Sequence, residues 1–329
     1  MHLPDLPLYL AQSFTYSFVA VIAAYPLLRL WKVRNPRLRF NFHLMTLLLP
    51  VVLPALFYMA YPGRTSLVFR DRLALLDIQQ WLELSVWGQF DLVHPLLLLF
   101  GAVAVVFVVQ EIIPLATRQS SRTYPRTPIE PGRFPHLDEA LAESSKLMAH
   151  PLPPVKIIES PGAEIHIRGV FRQVLVISSG IASSAGKEQL TAILCHEMAH
   201  LVRRDHWTGW ALVLLRGVAF YNPIAWFTSR LMWQENEQVC DSMAVSATGN
   251  PLALASALVK VAGQTIELRP ESSPATSPST KTELMHSVDS HLAFRVRSLL
   301  EHGVNGDEWG AARLWTFSIL LTAVLFFVV

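Results

Sequence analysis

Four long apolar runs constrain this chain more than any other feature. Backbone inside a bilayer must satisfy its hydrogen bonds within its own segment, so roughly 18 or more apolar residues in a row read as a spanning helix. Residues 8–30 carry no charge before Arg29. Residues 43–60 are apolar but hold Pro50 and Pro54, which predicts a kinked helix. Residues 94–115 include LLLLFGAVAVVFVV, with Glu111 near the end, where it reaches the interface. Residues 313–329 form a shorter fourth run. Composition agrees: 52% of residues are hydrophobic and 16% charged, against about 25% charged in soluble domains. The net charge of +2 gives no basic field for nucleic acid.

Basic residues orient the runs. Lys32, Arg34, Arg37 and Arg39 follow the first run without an acid, which predicts a cytoplasmic loop. Residues 61–93 mix arginines with acids and are expected outside. Arg118, Arg122, Arg126 and Arg133 after the third run return the chain to the cytoplasm. The N-terminus is then outside, and the first run, which lacks a basic stretch before it, reads as a retained helix rather than a signal peptide.

Between the third and fourth runs the pattern changes. Residues 118–135 are rich in Arg, Pro, Ser and Thr and read as a linker. An amphipathic helix is expected over 136–149, and short strands over 155–159, 164–168 and 173–177. Helical spacing covers 187–205, with Ser183 or Ser184 as the expected N-cap. The apolar stretch 207–233 is broken by Arg216, Gly217 and Asn222-Pro223, which predicts two shorter helices. With Trp207, Trp210, Trp226 and Trp233 they suit the membrane interface, although core helices are an equal reading. Helix resumes over 234–264, a Pro/Ser/Thr-rich loop follows over 265–290, and a short helix ends the segment over 291–301. Cys195 and Cys240 are too few for a disulfide framework and read as small buried helix residues.

The string HEMAH, residues 196–200, carries the chemistry. His196 and His200 are four apart, so a helix puts both imidazoles on one face, where they can chelate zinc. Glu197 then sits beside the ion as general base. A catalytic zinc takes three protein ligands and keeps one position open. His206 has the spacing of a third histidine, but Arg203 stands where that pattern needs a glycine turn. Glu237 is the stronger candidate, with Asp241 four residues on, on the same helical face, placed to accept a proton from a ligand histidine. Glu235 is an alternative ligand on another face.

HEMAHLVRRDHW, NPIAWF and EQVCD together resemble the BlaR/MecR family of membrane metallopeptidases, and RVRSLL at 295–300 resembles that family's downstream arginine segment. The resemblance implies His196, His200 and Glu237 as ligands of one zinc ion, Glu197 as general base and Asp241 as a residue that positions a ligand histidine. Related gluzincins of the HtpX and prenyl-protease type place an arginine near the substrate carbonyl. Arg295 fits that role, but Asp289 stands where those enzymes have a histidine, and His291 is the nearest one. The family's β-lactam sensors continue into a penicillin-binding domain, for which no residues are expected here. Ser184-Ala-Gly-Lys187 fits S-x-x-K but lacks the companion motifs.

The expected fold is a mainly α membrane protein. About four transmembrane helices carry an α+β gluzincin-like zinc protease domain inserted between helices 3 and 4. Residues 1–115 would hold three spans, 116–312 the cytoplasmic peptidase with membrane-associated helices at 207–233, and 313–329 the fourth span. The resemblance implies a zinc endopeptidase of the bacterial inner membrane, acting on a cytoplasmic or membrane-proximal protein such as a repressor, with self-cleavage in 265–290 as an option. A quality-control protease of the HtpX type and a non-catalytic receptor are the alternatives. The partners are a protein or peptide substrate and the lipid bilayer, with no nucleic acid; a homodimer stays open.

Overall fold

The computed structural model describes residues 6–78, 85–86, 90–91, 93–112, 133–169, 172–267, 292–300 and 310–328. Asp289, His291 and most of the expected linker and Pro/Ser/Thr-rich loop lie outside these residues. The chain divides into two compact units. One comprises residues 1–121, 211–235 and 306–329; the other comprises 122–210 and 236–305.

The first unit is helical, with α1 (Leu6–Leu30), α2 (Pro36–Ala60), the short α3 (Leu67–Arg72) and α4 (Val93–Phe107), which runs on into a π turn, Val108–Ile112. Residues Ser85–Val86 (β1) and Phe90–Asp91 (β2) pair as a minimal hairpin. The last helix of this unit is Gly310–Phe326, labelled α12 below. Only α1 and α2, among the described residues, are long and apolar enough to cross a membrane; α4 and α12 are shorter. About four spans were expected, the fourth of them short; among the described residues two helices have full spanning length.

The second helix also starts earlier than expected. Asn35 caps it by accepting from Arg37 N at 2.9 Å, and Pro36 takes the first helical position, where its missing N–H costs nothing. Arg37 and Arg39 therefore belong to the helix, not to the preceding loop. The helix continues through both Pro50 and Pro54.

Tyr16, Ala20 and Ala24 form a stripe four residues apart on α1, and Phe317, Leu321 and Leu325 do the same on α12. Both pack with Phe42, Leu53 and Phe57 of α2, and the Phe42 and Phe317 rings lie 4.8 Å apart. The last carbonyls of a helix have no partner within it. Buried Arg64 supplies one here: its Nε donates to Phe326 O at 2.6 Å and its Nη2 to Leu325 O at 3.1 Å and to Val328 O.

The second unit begins with α5 (Pro135–Met148) and a three-stranded sheet of β3 (Val155–Ile158), β4 (Ile165–Arg168) and β5 (Val174–Ser178). The order is β3-β5-β4, with β3 and β5 parallel and β4 and β5 antiparallel. Next come α6 (Ser179–Ser184) and α7 (Lys187–Val202). Expecting Ser183 or Ser184 to cap α7 was wrong. They close α6, which Ser178 caps, and α7 starts after Gly186, whose N–H donates to Gln189 Oε1 at 3.3 Å. A glycine cap leaves no side-chain signal to read. Lys187 pairs with Glu139 and Glu143 of α5.

Leu190, Ile193 and Leu194 of α7 are buried with Leu137, Leu175, Ile177 and Leu254 in one core. That burial explains why α7 is apolar around most of its circumference.

Three helices follow: α8 (Asp205–Val218), α9 (Pro223–Thr248) and α10 (Pro251–Glu267). The expected break near residue 233 does not occur. α9 is continuous from the apolar stretch through Glu237 and Asp241, and the break falls at Gly249, which has φ +67°. Asn222 and Asn250 each precede a proline and each caps a helix, accepting from Ile224 N and Ala253 N at 3.0 Å. The boundary between the units falls within α8 and α9. A short helix, α11, covers 292–300.

Candidate metal centre

The second unit brings the two histidines of α7 and a carboxylate of α9 together. Four-residue spacing sets His196 and His200 edge to face, with ring centroids 5.0 Å apart. Glu237 Oε2 lies 3.5 Å from His196 Nε2, and its Oε1 lies 3.7 Å from His200 Nε2. One donor atom from each of the three lies within 4.8 Å of the others. Ligands at about 2.0–2.1 Å from a tetrahedral zinc stand roughly 3.3–3.5 Å apart, so the donor set and spacing suit one zinc ion.

The opposite ring nitrogens face other carboxylates. His196 Nδ1 lies 2.9 Å from Asp241 Oδ1, close in distance but not aligned as a hydrogen bond. His200 Nδ1 donates to Asp205 Oδ2 at 2.8 Å. Both imidazoles thus turn Nε2 toward Glu237.

Arg295 of α11 closes the group. Its Nε and Nη2 donate to the two oxygens of Asp241 at 2.8 and 2.6 Å, and its Nη1 lies 3.2 Å from Glu237 Oε2. The sequence suggested Arg295 for a substrate carbonyl; here its guanidinium is engaged with two carboxylates.

The electrostatics follow from this packing. Burial opposes ionisation of Glu237, but His196, His200 and Arg295 outweigh it and hold its pKa down at about 2. Burial likewise opposes charge on His196, and Asp241 and Glu237 overcome it and raise its pKa. Glu197 differs. Burial raises its pKa, the nearby histidines counter this only in part, and Glu237 adds to the rise. Burial thus favours the protonated form of this carboxyl, a bias that suits a group meant to hold a proton in transit.

His206 belongs to neither three-residue donor group among the described residues; its Nδ1 lies 2.9 Å from Gln173 Nε2. Glu235 belongs to the other unit, where it pairs with Arg39 at 2.8 Å. Cys195 and Cys240 are both buried and free, and burial pushes the Cys195 thiol up to about 12.

Asp205 was missed. Its signal was the acid following two arginines in HEMAHLVRRD, one residue past the end of a helical turn. Helix α7 ends at Val202, and Arg204 takes the left-handed conformation, φ +57°. That reversal turns Asp205 back under His200.

A family model described as BlaR1 peptidase M56 matches residues 71–286. The chain belongs to the BlaR1 peptidase M56 family. Its similarity to curated proteins is distant. A "Regulatory protein BlaR1" of Bacillus licheniformis is 24% identical, over 48% of this M56 chain and 25% of that protein. A "Protease HtpX homolog" of Desulforapulum autotrophicum is 23% identical, over 46% of this chain and 64% of the relative. Another, of Methylacidiphilum infernorum, is 34% identical, over 29% and 31%. This M56 chain therefore spans less than two thirds of the length of each of these relatives. The solved structure of S. mikatae Ste24p aligns over 78% of this chain and 73% of its own at 16% identity with a TM-score of 0.33, a likeness too slight to carry an argument.

Proposed function

We propose that this M56 chain is a membrane-embedded zinc endopeptidase. The observation that carries the reading is the convergence of His196, His200 and Glu237 around one point, with Glu197 adjacent in the same helix. His196, His200 and Glu237 would hold the ion. Bound there, zinc supplies Lewis acidity that polarises a carbonyl and acidifies water. Glu197 takes a proton at its carboxylate during attack and returns it to the leaving amine. Arg295 holds Asp241 and Glu237 in place, and Asp241 stands against His196.

The sheet supports a mode of substrate binding. Of the strands that precede the HEMAH helix, β4 and β5 could each in principle take up an extended peptide by strand addition. β5 is central and paired on both sides, so of these two strands β4 is the one with an open edge for an extended peptide. β4 also packs against α7, the helix that carries Glu197.

Membrane insertion rests on the outward faces of the first unit. Phe18 and Ile22 of α1, Leu98 of α4 and Trp315 and Ile319 of α12 are each more than half exposed. Water-facing helices rarely present such continuous apolar surface. The family supports a bacterial inner-membrane protein, and the charge pattern supports an N-terminus outside. Residues 116–312 would form the cytoplasmic peptidase, apart from 211–235, which group with the first unit, and the flanking helices would span. A cytoplasmic or membrane-proximal protein, such as a transcriptional regulator, is the proposed substrate, with self-cleavage in 265–290 as a second target.

Peptide termini in membranes from cells carrying wild type or Glu197→Ala test the activity. Termini from one or a few proteins that vanish with Glu197→Ala support a regulatory protease, and termini from many damaged proteins support quality control. No dependent terminus at all favours a non-catalytic receptor and ends the protease reading. Metal analysis of Glu237→Ala and His206→Ala tests the third ligand: zinc should be lost in the first and kept in the second.

A further inference from the structure

We propose that Asp205, held by Arg203, Asn236 and Cys240, is a positioning residue that orients His200 toward the metal. The proposal rests on the zinc reading above. Three donors converge on Asp205 Oδ2: His200 Nδ1 at 2.8 Å, Asn236 Nδ2 at 3.1 Å and Cys240 Sγ at 3.3 Å. Arg203 Nε donates to the other oxygen at 3.1 Å, and Arg203 Nη2 donates to Asn236 Oδ1 at 2.6 Å. Asp205 is 7% exposed, Asn236 3% and Cys240 0%. A buried carboxylate is costly unless it is paired and hydrogen-bonded, and here both of its oxygens are occupied.

The arrangement has a specific consequence. A carboxylate can only accept, so His200 must carry its proton on Nδ1, which leaves the Nε2 lone pair facing Glu237. The site then has two arms of the same kind. In one, Arg295 grips Asp241 against His196; in the other, Arg203 grips Asp205 against His200. Arg203 stands where a different zinc-peptidase pattern has glycine. Its side chain serves the second arm in place of a turn that would bring in a third histidine.

His200, Asp205 and Cys240 also form a three-donor group by distance alone. Their 2.8 and 3.3 Å separations are hydrogen-bond contacts, and Asn236 and Arg203 take up the remaining acceptor capacity of the carboxylate. The group is therefore a closed hydrogen-bonded hub.

Zinc affinity of the 329-residue chain in detergent, measured by chelator competition, tests this together with the visible spectrum of the cobalt-substituted protein. Asp205→Asn should weaken zinc binding roughly 10- to 100-fold and shift the cobalt bands, because the amide no longer enforces one histidine tautomer. Asn236→Ala, which keeps the carboxylate but loosens it, should weaken binding by less and serves if Asp205→Asn fails to fold. A purely structural role would lower the unfolding temperature of the metal-free protein while leaving affinity and spectrum unchanged, and that result overturns the proposal. So does a stoichiometry of two ions per chain that falls to one in Cys240→Ala. A wild-type chain that takes up no zinc defeats the underlying metal reading instead.

Discussion

Arg295 and Asp241 meet in a two-point contact, Nε to Oδ2 at 2.8 Å and Nη2 to Oδ1 at 2.6 Å, while the same guanidinium reaches Glu237. One cation on α11 is thus shared between two carboxylates on α9 that are drawn toward two histidines on α7. Removing it should leave buried charge uncompensated. Arg295→Ala is expected to destabilise the protein by about 3–5 kcal/mol and to weaken zinc binding. Arg295→Lys should recover only part of both, since a point charge cannot match the fork. Denaturant unfolding and chelator competition on the two variants check this.

Glu197→Gln should separate metal binding from chemistry. The isosteric amide cannot accept a proton, so peptide cleavage is expected to fall about 10²- to 10⁴-fold. Zinc content should stay at the wild-type level, because Glu197 is not among the three converging donors. Elemental analysis beside a peptide-cleavage assay reads both; loss of zinc in this variant would contradict the assignment.

Acid should loosen the metal-free protein through Glu237. Its folded-state pKa, about 2, lies below the ordinary 4.5. The stability it contributes is therefore complete above pH 4.5 and is lost as pH falls through the folded value. Melting temperatures of metal-free wild type and Glu237→Gln, followed from pH 7 to pH 3, should differ most at neutral pH and converge in acid. A gap that widens on acidification would reverse the sign.

Two glycines separate backbone strain from steric clash. At Gly249, φ is +67° and an added Cβ meets nothing within 4 Å, so Gly249→Ala should cost only the left-handed penalty, about 1 kcal/mol. At Gly180 an added Cβ would come 2.2 Å from Pro161 O, a backbone atom. Gly180→Ala should therefore be far more damaging. Thermal unfolding of the two variants gives the comparison.

Arg204 offers the converse test. It is exposed and takes the left-handed position after α7 at φ +57°. Arg204→Gly should raise stability by up to about 1 kcal/mol. An increase in the unfolding midpoint of the purified chain is the expected reading.

What the sequence by itself determined was local. The four-residue spacing of His196 and His200 puts them on one face of any helix, and that of Glu237 and Asp241 does the same on another. Alternating β-branched runs placed all three strands of the second unit to within a residue. Asn222-Pro223 marked a helix start; Asn250-Pro251 carried the same mark and was passed over. Tertiary structure alone decided the rest. Whether β4 or β5 is the edge strand depends on pairing across the chain, which side-chain alternation does not encode. Asp205 reaches His200 because Arg204 reverses the backbone, and left-handed geometry at an arginine has no local signature. Arg295 lies 54 residues beyond Asp241, and its partner was settled by packing. Helical periodicity tells which residues share a face. Which face meets which is set by the cost of burying charge: in this fold buried Asp241 and Asp205 and half-buried Glu237 each have a histidine and an arginine opposite them.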